Sequence, residues 1–249
     1  IIPKAAKAHL QGLQVSVGTN PNNIPLREKK VRQTYLELGK KYGIKVHSIA
    51  AGSILNKIPL ATEPQSAVYV IDALEAAAAL GAKNILMAFF GNGDLRKKNS
   101  EGKPIEKNID GFSSYELDAP KVKRVVEVLR QIVPRANDLG VALGLENTLT
   151  AAQNLDIIDQ VGSSILQVYY DVGNSTGNGY DVPTEIRKIG NDRLCEVHLK
   201  DWKTKLLGSP EGQVDMKACA KALAKIGYDK WYVLETSGRK NKFVKDTRK

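Results

Sequence analysis

Gly140-Val141-Ala142-Leu143-Gly144-Leu145-Glu146 holds the pattern on which the fold of this chain turns. A glycine opens the stretch, a short apolar run follows, and the run ends on a carboxylate. Glycine is favoured just past a helix because the chain there often enters the left-handed region, which costs a residue without Cβ nothing. An amphipathic segment stands before Gly140, so the stretch reads as the end of a helix followed by a strand.

The same sentence recurs along the chain. Helix stops are read at Gly12, Gly43, Gly81, Gly162, Gly190 and Gly227 as well. Strand-like runs follow them at residues 13–17, 44–49, 84–90, 165–171, 194–199 and 231–235. Most of these runs are nearly continuous in apolar residues rather than alternating, as expected for parallel strands covered on both faces. The segments between them, such as residues 67–80 and 216–226, carry the 3.6-residue spacing of helices. Strands alternating with helices imply a parallel α/β architecture, either a doubly wound sheet or a closed barrel.

Counting separates the two. Seven strands are read, each preceded by a helix, and the chain opens on a helix and ends just after a strand. A (β/α)8 barrel begins with a strand and ends with a helix. The expectation is therefore a TIM barrel lacking its first strand and most of its last helix, as one domain over residues 1–249. A dinucleotide-binding sheet would need a G-x-G-x-x-G loop after its first strand. Gly91-Asn92-Gly93-Asp94 lacks the third glycine and a suitable helix start.

Bulk properties agree with a globular enzyme-sized domain. Of 249 residues, 42% are hydrophobic and 26% charged, and no apolar run is long enough to cross a bilayer. The first ten residues do not read as a signal peptide, which points to the cytoplasm, although an export signal removed from an amino end that reads as cut is left open. Cys195 and Cys219 fall in apolar surroundings and read as buried thiols. The net charge of +10 is spread over helix faces with acids interleaved, as in Arg27-Glu28-Lys29-Lys30, and only residues 239–249 form a concentrated basic run. Neither nucleic acid nor membrane is the expected partner. A homo-oligomer formed through the outer helices is open.

In such barrels the active site lies at the carboxyl ends of the strands. Four successive strands end in a group able to bind metal: Glu146, Asp171, His198 and Glu235. One acidic residue at a strand end is commonly a helix cap. Four in succession are different, because three crowded carboxylates repel one another without a cation. Hard oxygen donors with one nitrogen suit a single divalent ion, Mn²⁺, Mg²⁺ or Co²⁺, with Zn²⁺ also compatible.

The stretches Gly144-Leu145-Glu146-Asn147, Tyr169-Tyr170-Asp171-Val172-Gly173-Asn174, Val197-His198-Leu199-Lys200-Asp201 and Val233-Leu234-Glu235-Thr236 closely resemble the xylose isomerase-like sugar phosphate isomerase/epimerase family. Residues 208–215, the helix after them and Gly227-Tyr228 are similar to the segment between that family's last two strands. The resemblance runs from about residue 3 to the end of the chain. It implies a TIM barrel in which the four positions hold one divalent metal and two glutamates flank a bound sugar. Carried over, Glu146 and Glu235 are ligands and proton-transfer groups, whereas Asp171 and His198 are ligands only. Two carboxylates beside a cation suit enediolate chemistry, in which one removes the proton next to a carbonyl and the other returns it. Return to the opposite face is epimerisation, and return to the adjacent carbon is aldose–ketose isomerisation. The substrate is then a small sugar or sugar phosphate.

Substrate contacts are expected from Lys200, two residues past His198, and from Asn174, where some relatives carry a histidine. Asn147 is a candidate to orient Glu146 or meet the sugar. Phe89 is expected as an apolar wall at the mouth, with Phe90, Asn92 and Asp94 nearby. His9 and His47 receive no role. Three other readings share the site: dehydration of an inosose-type cyclic ketose, a phosphodiester-cleaving nuclease, and a non-catalytic sugar-binding protein. The nuclease reading calls for three zinc ions and many histidines, and the chain has three histidines in all.

Overall fold

The computed structural model describes residues 1–109, 111–204 and 206–236. The basic run at residues 239–249 lies outside them. The elements are α1 (Ile2–Lys7), β1 (Gly12–Ser16), α2 (Lys29–Tyr42), β2 (Lys45–Ala50), α3 (Gly52–Leu55), α4 (Ala67–Leu80) and β3 (Asn84–Ala88). There follow β4 (Glu106–Ile109), β5 (Phe112–Tyr115), α5 (Ala119–Leu139), β6 (Ala142–Glu146), α6 (Ala151–Val161) and β7 (Leu166–Asp171). The remainder is α7 (Val172–Gly177), α8 (Val182–Ile189), β8 (Leu194–Leu199), α9 (Met216–Lys225) and β9 (Tyr232–Leu234).

Seven strands form one sheet in the order β1-β2-β3-β6-β7-β8-β9, and every neighbouring pair is parallel. The order never reverses, so the sheet winds one way, as a barrel does, and has no doubly wound switch point. Among the described residues β1 and β9 are not paired with each other. A cleft lined from both of them, by Leu13 and Gln14 on one side and Tyr232 and Val233 on the other, lies at the place of closure. That is the expected architecture of a TIM barrel short of one strand.

Helices pack outside through apolar faces at helical spacing. In α5 the buried residues are Val122, Val125, Val126, Val128, Leu129, Ile132 and Ala136, a single stripe toward the sheet. Thr150 and Gln153 make a reciprocal capping box at the start of α6, which satisfies two otherwise unpaired backbone donors. Among the described residues no helix is long and apolar enough to cross a membrane.

Six of the seven expected glycine stops have positive φ, from 61° at Gly140 to 78° at Gly162. Gly12 is the exception. Helix α1 ends at Lys7, His9 takes the left-handed position with φ 59°, and Gly12 opens β1. Its requirement is space, since a Cβ there would meet the His47 ring, the Lys45 carbonyl and the Trp231 ring at 3.0 Å each. The hairpin β4–β5 is not among the expected strands, although Asp110-Gly111 in the sequence is a hairpin signal.

Two register slips shape the barrel interior. Between β1 and β2, Leu13 faces Val46 while Gln14 faces Ser48, which leaves His47 unpaired. Between β7 and β8, Val168 faces Leu194 while Tyr169 faces Glu196, which leaves Cys195 unpaired. A bulge of this kind re-aims the side chains around it.

Candidate metal centre and active-site cavity

The strand ends bring the four expected ligands together. Glu146 closes β6, Asp171 closes β7 opposite His198 on β8, and Glu235 follows β9. One donor atom from each lies within 4.8 Å of all the others. The Nδ1 atom of His198 is 3.0 Å from Glu146 Oε1, 3.4 Å from Glu235 Oε2 and 3.9 Å from Asp171 Oδ2. Glu146, Asp171 and His198 are buried, while the Glu235 side chain is 48% exposed toward the mouth. The Asn174 backbone N–H donates to Asp171 Oδ1 at 2.7 Å, so Oδ2 is the atom turned to the centre. That buried oxygen has no hydrogen bond, although the Lys200 ammonium stands 3.0 Å away as an ion pair.

The cluster draws in positive charge. Burial opposes charging of His198, but hydrogen bonds with Glu146 and Glu235 outweigh it and push the imidazole up to about 10. Burial raises Asp171 to about 7 even with Lys200 beside it. Glu235 is shifted down: burial works against this, and contacts with His198, Asp171 and Lys200 prevail. Lys200 is shifted up, again against burial, by Asp171 and by Glu235 Oε2 at 2.9 Å. Three carboxylates, one imidazole and an oxygen without a hydrogen bond fit a divalent ion with mainly oxygen ligands. Glu146, Asp171, His198 and Glu235 would hold it.

Above the cluster is a cavity of about 450 Å³ whose lining includes Gln14, Ser53, Asn56, Phe90, Asn174 and Lys200. Lys200 and Asn174 thus both line this cavity. Gly173 lets the chain at Lys200 come close, because a Cβ there would lie 2.7 Å from the Lys200 carbonyl oxygen. Phe89 is placed differently: it is 1% exposed in the main core, and Phe90 is the aromatic that reaches the cavity. The reason is strand alternation: the Phe89 N–H still bonds to the Glu146 carbonyl, so the ladder runs on past Ala88, and Phe89 shares the main-core face with Ile85 and Met87 while Phe90 falls in step with Leu86 and Ala88 on the cavity face.

Asn147 does not line the cavity either. Its amide exchanges hydrogen bonds with Asn154 at 2.7 and 3.2 Å and accepts from the Leu149 N–H, so it shapes the loop into α6. Asp94 is bound to Arg96 and Thr148 and also lies off the cavity. Gln14, Ser53 and Asn56 were not anticipated. Gln14 alone carried a signal, as an amide inside an apolar strand. Larger cavities, about 760 Å³ beside Leu206, Met216 and Leu234 and about 550 Å³ beside Tyr35 and Trp231, have no carboxylate in their lining, whereas Glu146, Glu235 and His198 all line the smaller one.

Comparison with known proteins places the fold and the family. A protein of Escherichia coli strain K12, provisionally named as an L-ribulose-5-phosphate 3-epimerase, is 36% identical over 145 residues, which is 51% of this chain and 50% of that one. The chain spans about half the length of the curated relatives it matches. The crystal structure of D-psicose 3-epimerase with D-tagatose from Clostridium cellulolyticum H10 superposes with a TM-score of 0.72 at 20% identity, covering 98% of this chain and 82% of its own. For 3-keto-D-glucoside 4-epimerase from E. coli the TM-score is 0.73 at 17% identity, covering 99% of this chain and 89% of its own. These likenesses show the fold. A family match that runs from residue 2 to residue 248 takes in the whole sheet and its mouth, and by it this chain belongs to the xylose isomerase-like TIM barrel family.

Proposed function

We propose that the chain is a divalent-metal-dependent epimerase or isomerase acting on a small sugar or sugar phosphate. The observation that carries this reading is the convergence of Glu146, Asp171, His198 and Glu235 within 4.8 Å, with Glu146, His198 and Glu235 lining a cavity. Its volume, about 450 Å³, is in the range of small-molecule sites. The 36%-identical relative named as a ketose phosphate epimerase supports epimerisation over the other outcomes.

A divalent cation held by the four ligands, Mn²⁺, Mg²⁺, Co²⁺ or Zn²⁺, would polarise a sugar carbonyl and favour negative charge on its oxygen. The protein's own groups then move the proton. Glu146 and Glu235 come from strands separated by two others, so a sugar seated between them meets a carboxylate from each side. One glutamate takes the proton from the carbon beside the carbonyl, and the other delivers one to the opposite face, which inverts that centre. Asp171 and His198 stay fixed as ligands. Lys200 and the amides of Gln14, Asn56 and Asn174, which line the cavity, would hold sugar oxygens. The histidines argue against a trinuclear nuclease site, because His47 is engaged with Glu196 and only His198 stands at the mouth. A cytoplasmic location, no nucleic-acid or membrane partner and a possible self-association complete the reading.

The test is deuterium exchange. Mn²⁺-loaded protein in D₂O is incubated with D-fructose, D-tagatose, D-psicose, L-ribulose and L-ribulose 5-phosphate, and NMR follows label beside the carbonyl. Glu146→Gln and Glu235→Gln should stay folded and lose about 10²-fold or more in exchange rate. Exchange at the wild-type rate in both variants sinks the assignment.

A further inference from the structure

One strand-step beneath the ligands, the barrel interior is polar, and the chemistry above does not use it. Gln14, Ser48 and Asn84 are register partners across β1, β2 and β3. Tyr169 and Glu196 are partners across β7 and β8, just as Asp171 and His198 are above them. The Glu196 carboxylate is 0% exposed and accepts hydrogen bonds from His47 Nδ1 at 2.9 Å, Asn84 Nδ2 at 2.8 Å and the Tyr169 hydroxyl at 2.5 Å. The Tyr169 oxygen in turn accepts from Gln14 Nε2 at 2.8 Å. The ring therefore has its hydroxyl clamped from two sides. Gly144 makes room for it, since a Cβ there would lie 3.0 Å from Tyr169 Cδ2.

The clamped ring meets His198. The two ring centroids are 4.6 Å apart with planes at 62°, an edge contact. A ligating imidazole is ordinarily oriented by a hydrogen bond from its second nitrogen to a carboxylate, carbonyl or water. Here Nδ1 faces the carboxylates, and the buried Nε2 has no hydrogen-bond partner. Packing has to supply the orientation that a hydrogen bond supplies elsewhere.

We propose that Tyr169 is the positioning residue for His198: its ring, locked by Glu196 and Gln14, holds the imidazole with Nδ1 aimed at the ligand centre. The lock costs burial of a carboxylate and a phenol in the barrel, where an apolar layer would pack with less desolvation. Its return is a ligand with one orientation before the metal arrives. The proposal rests on the metal reading above.

Isothermal titration of Mn²⁺ into chelator-stripped wild type, Tyr169→Phe, Gln14→Met and Tyr170→Phe separates the two ideas, with pulsed EPR of bound Mn²⁺ to read imidazole ¹⁴N coupling. Tyr169→Phe keeps the ring and removes its lock, and should weaken Mn²⁺ by about tenfold, with altered ¹⁴N coupling. Gln14→Met should weaken it less. Tyr170→Phe removes the hydroxyl of the neighbouring buried tyrosine in the main core and should leave affinity at the wild-type value. Equal affinity and coupling in wild type, Tyr169→Phe and Gln14→Met overturn the proposal, as does an equal loss in Tyr170→Phe. If Tyr169→Phe does not fold, Gln14→Met decides alone. A wild type that binds no Mn²⁺ overturns the metal reading itself, and the positioning role with it.

Discussion

Replacing Glu196 with leucine tests whether the polar layer is obligatory or merely tolerated. Leucine brings its own burial, about 1.5–3 kcal/mol in its favour. Against that, His47 Nδ1, Asn84 Nδ2 and the Tyr169 hydroxyl all lose the acceptor they share, deep in the barrel. Each buried polar group left unpaired costs about 1–3 kcal/mol. The net loss should be about 3–5 kcal/mol, the usual cost of removing one member of a buried charged network. That is a large part of the roughly 5–15 kcal/mol that keeps a domain folded. Glutamine keeps the shape and one carbonyl acceptor but turns an amide N–H toward a donor, so Glu196→Gln should cost about 1–3 kcal/mol. Urea unfolding followed by circular dichroism, with chelator present so that metal binding does not add to stability, should rank wild type above Glu196→Gln and Glu196→Gln above Glu196→Leu. At about 2–4 °C per kcal/mol for a chain of this size, the leucine variant should melt roughly 6–20 °C lower. A leucine variant within about 1 kcal/mol of wild type would refute the reasoning, because apolar packing would then serve as well as the network.

Two further outcomes follow from buried ionisable groups. Burial opposes ionisation of Asp94, but hydrogen bonds from Arg96 outweigh it and hold the carboxyl below its ordinary value. A depressed folded pKa stabilises above the unfolded value, about 3.9, and that stability is lost as pH falls through the folded one. Asp94→Asn should therefore be less stable than wild type at pH 7, and the gap should narrow below about pH 4 in urea titrations; a constant gap from neutral to acid pH contradicts this. Burial pushes the Cys219 thiol up to about 11 and the Cys195 thiol higher still. Iodoacetamide at pH 8 should leave both unlabelled in the native protein and alkylate both after unfolding, and rapid native labelling of Cys195 would show that its strand opens readily.

The ligand set was legible because each member ends a strand whose start is marked by a glycine and whose interior is apolar. Lys200 and Asn174 were reachable by counting from His198 and Asp171. Phe89 and Phe90 were not separable in this way, since β3 is apolar and buried on both faces, so its sequence does not show which parity turns to the barrel mouth. Asn147 read as a mouth residue, and only its pairing with Asn154 shows that it builds the loop instead. His47 and Glu196 gave no local sign of each other, being 149 residues apart in sequence.

From the residues in order came the alternation of helix and strand, the winding of a one-way parallel sheet and the four groups at its mouth. These follow from periodicity and from glycine's conformational freedom, both properties of near neighbours along the chain. The three-dimensional arrangement alone decided the polar layer under the ligands, the clamp on Tyr169 and the aromatic that faces the cavity. Those depend on strand register, and two slips of one residue, at His47 and Cys195, set what points inward in the barrel. Register is fixed by packing between segments far apart in sequence, which no short stretch of chain encodes.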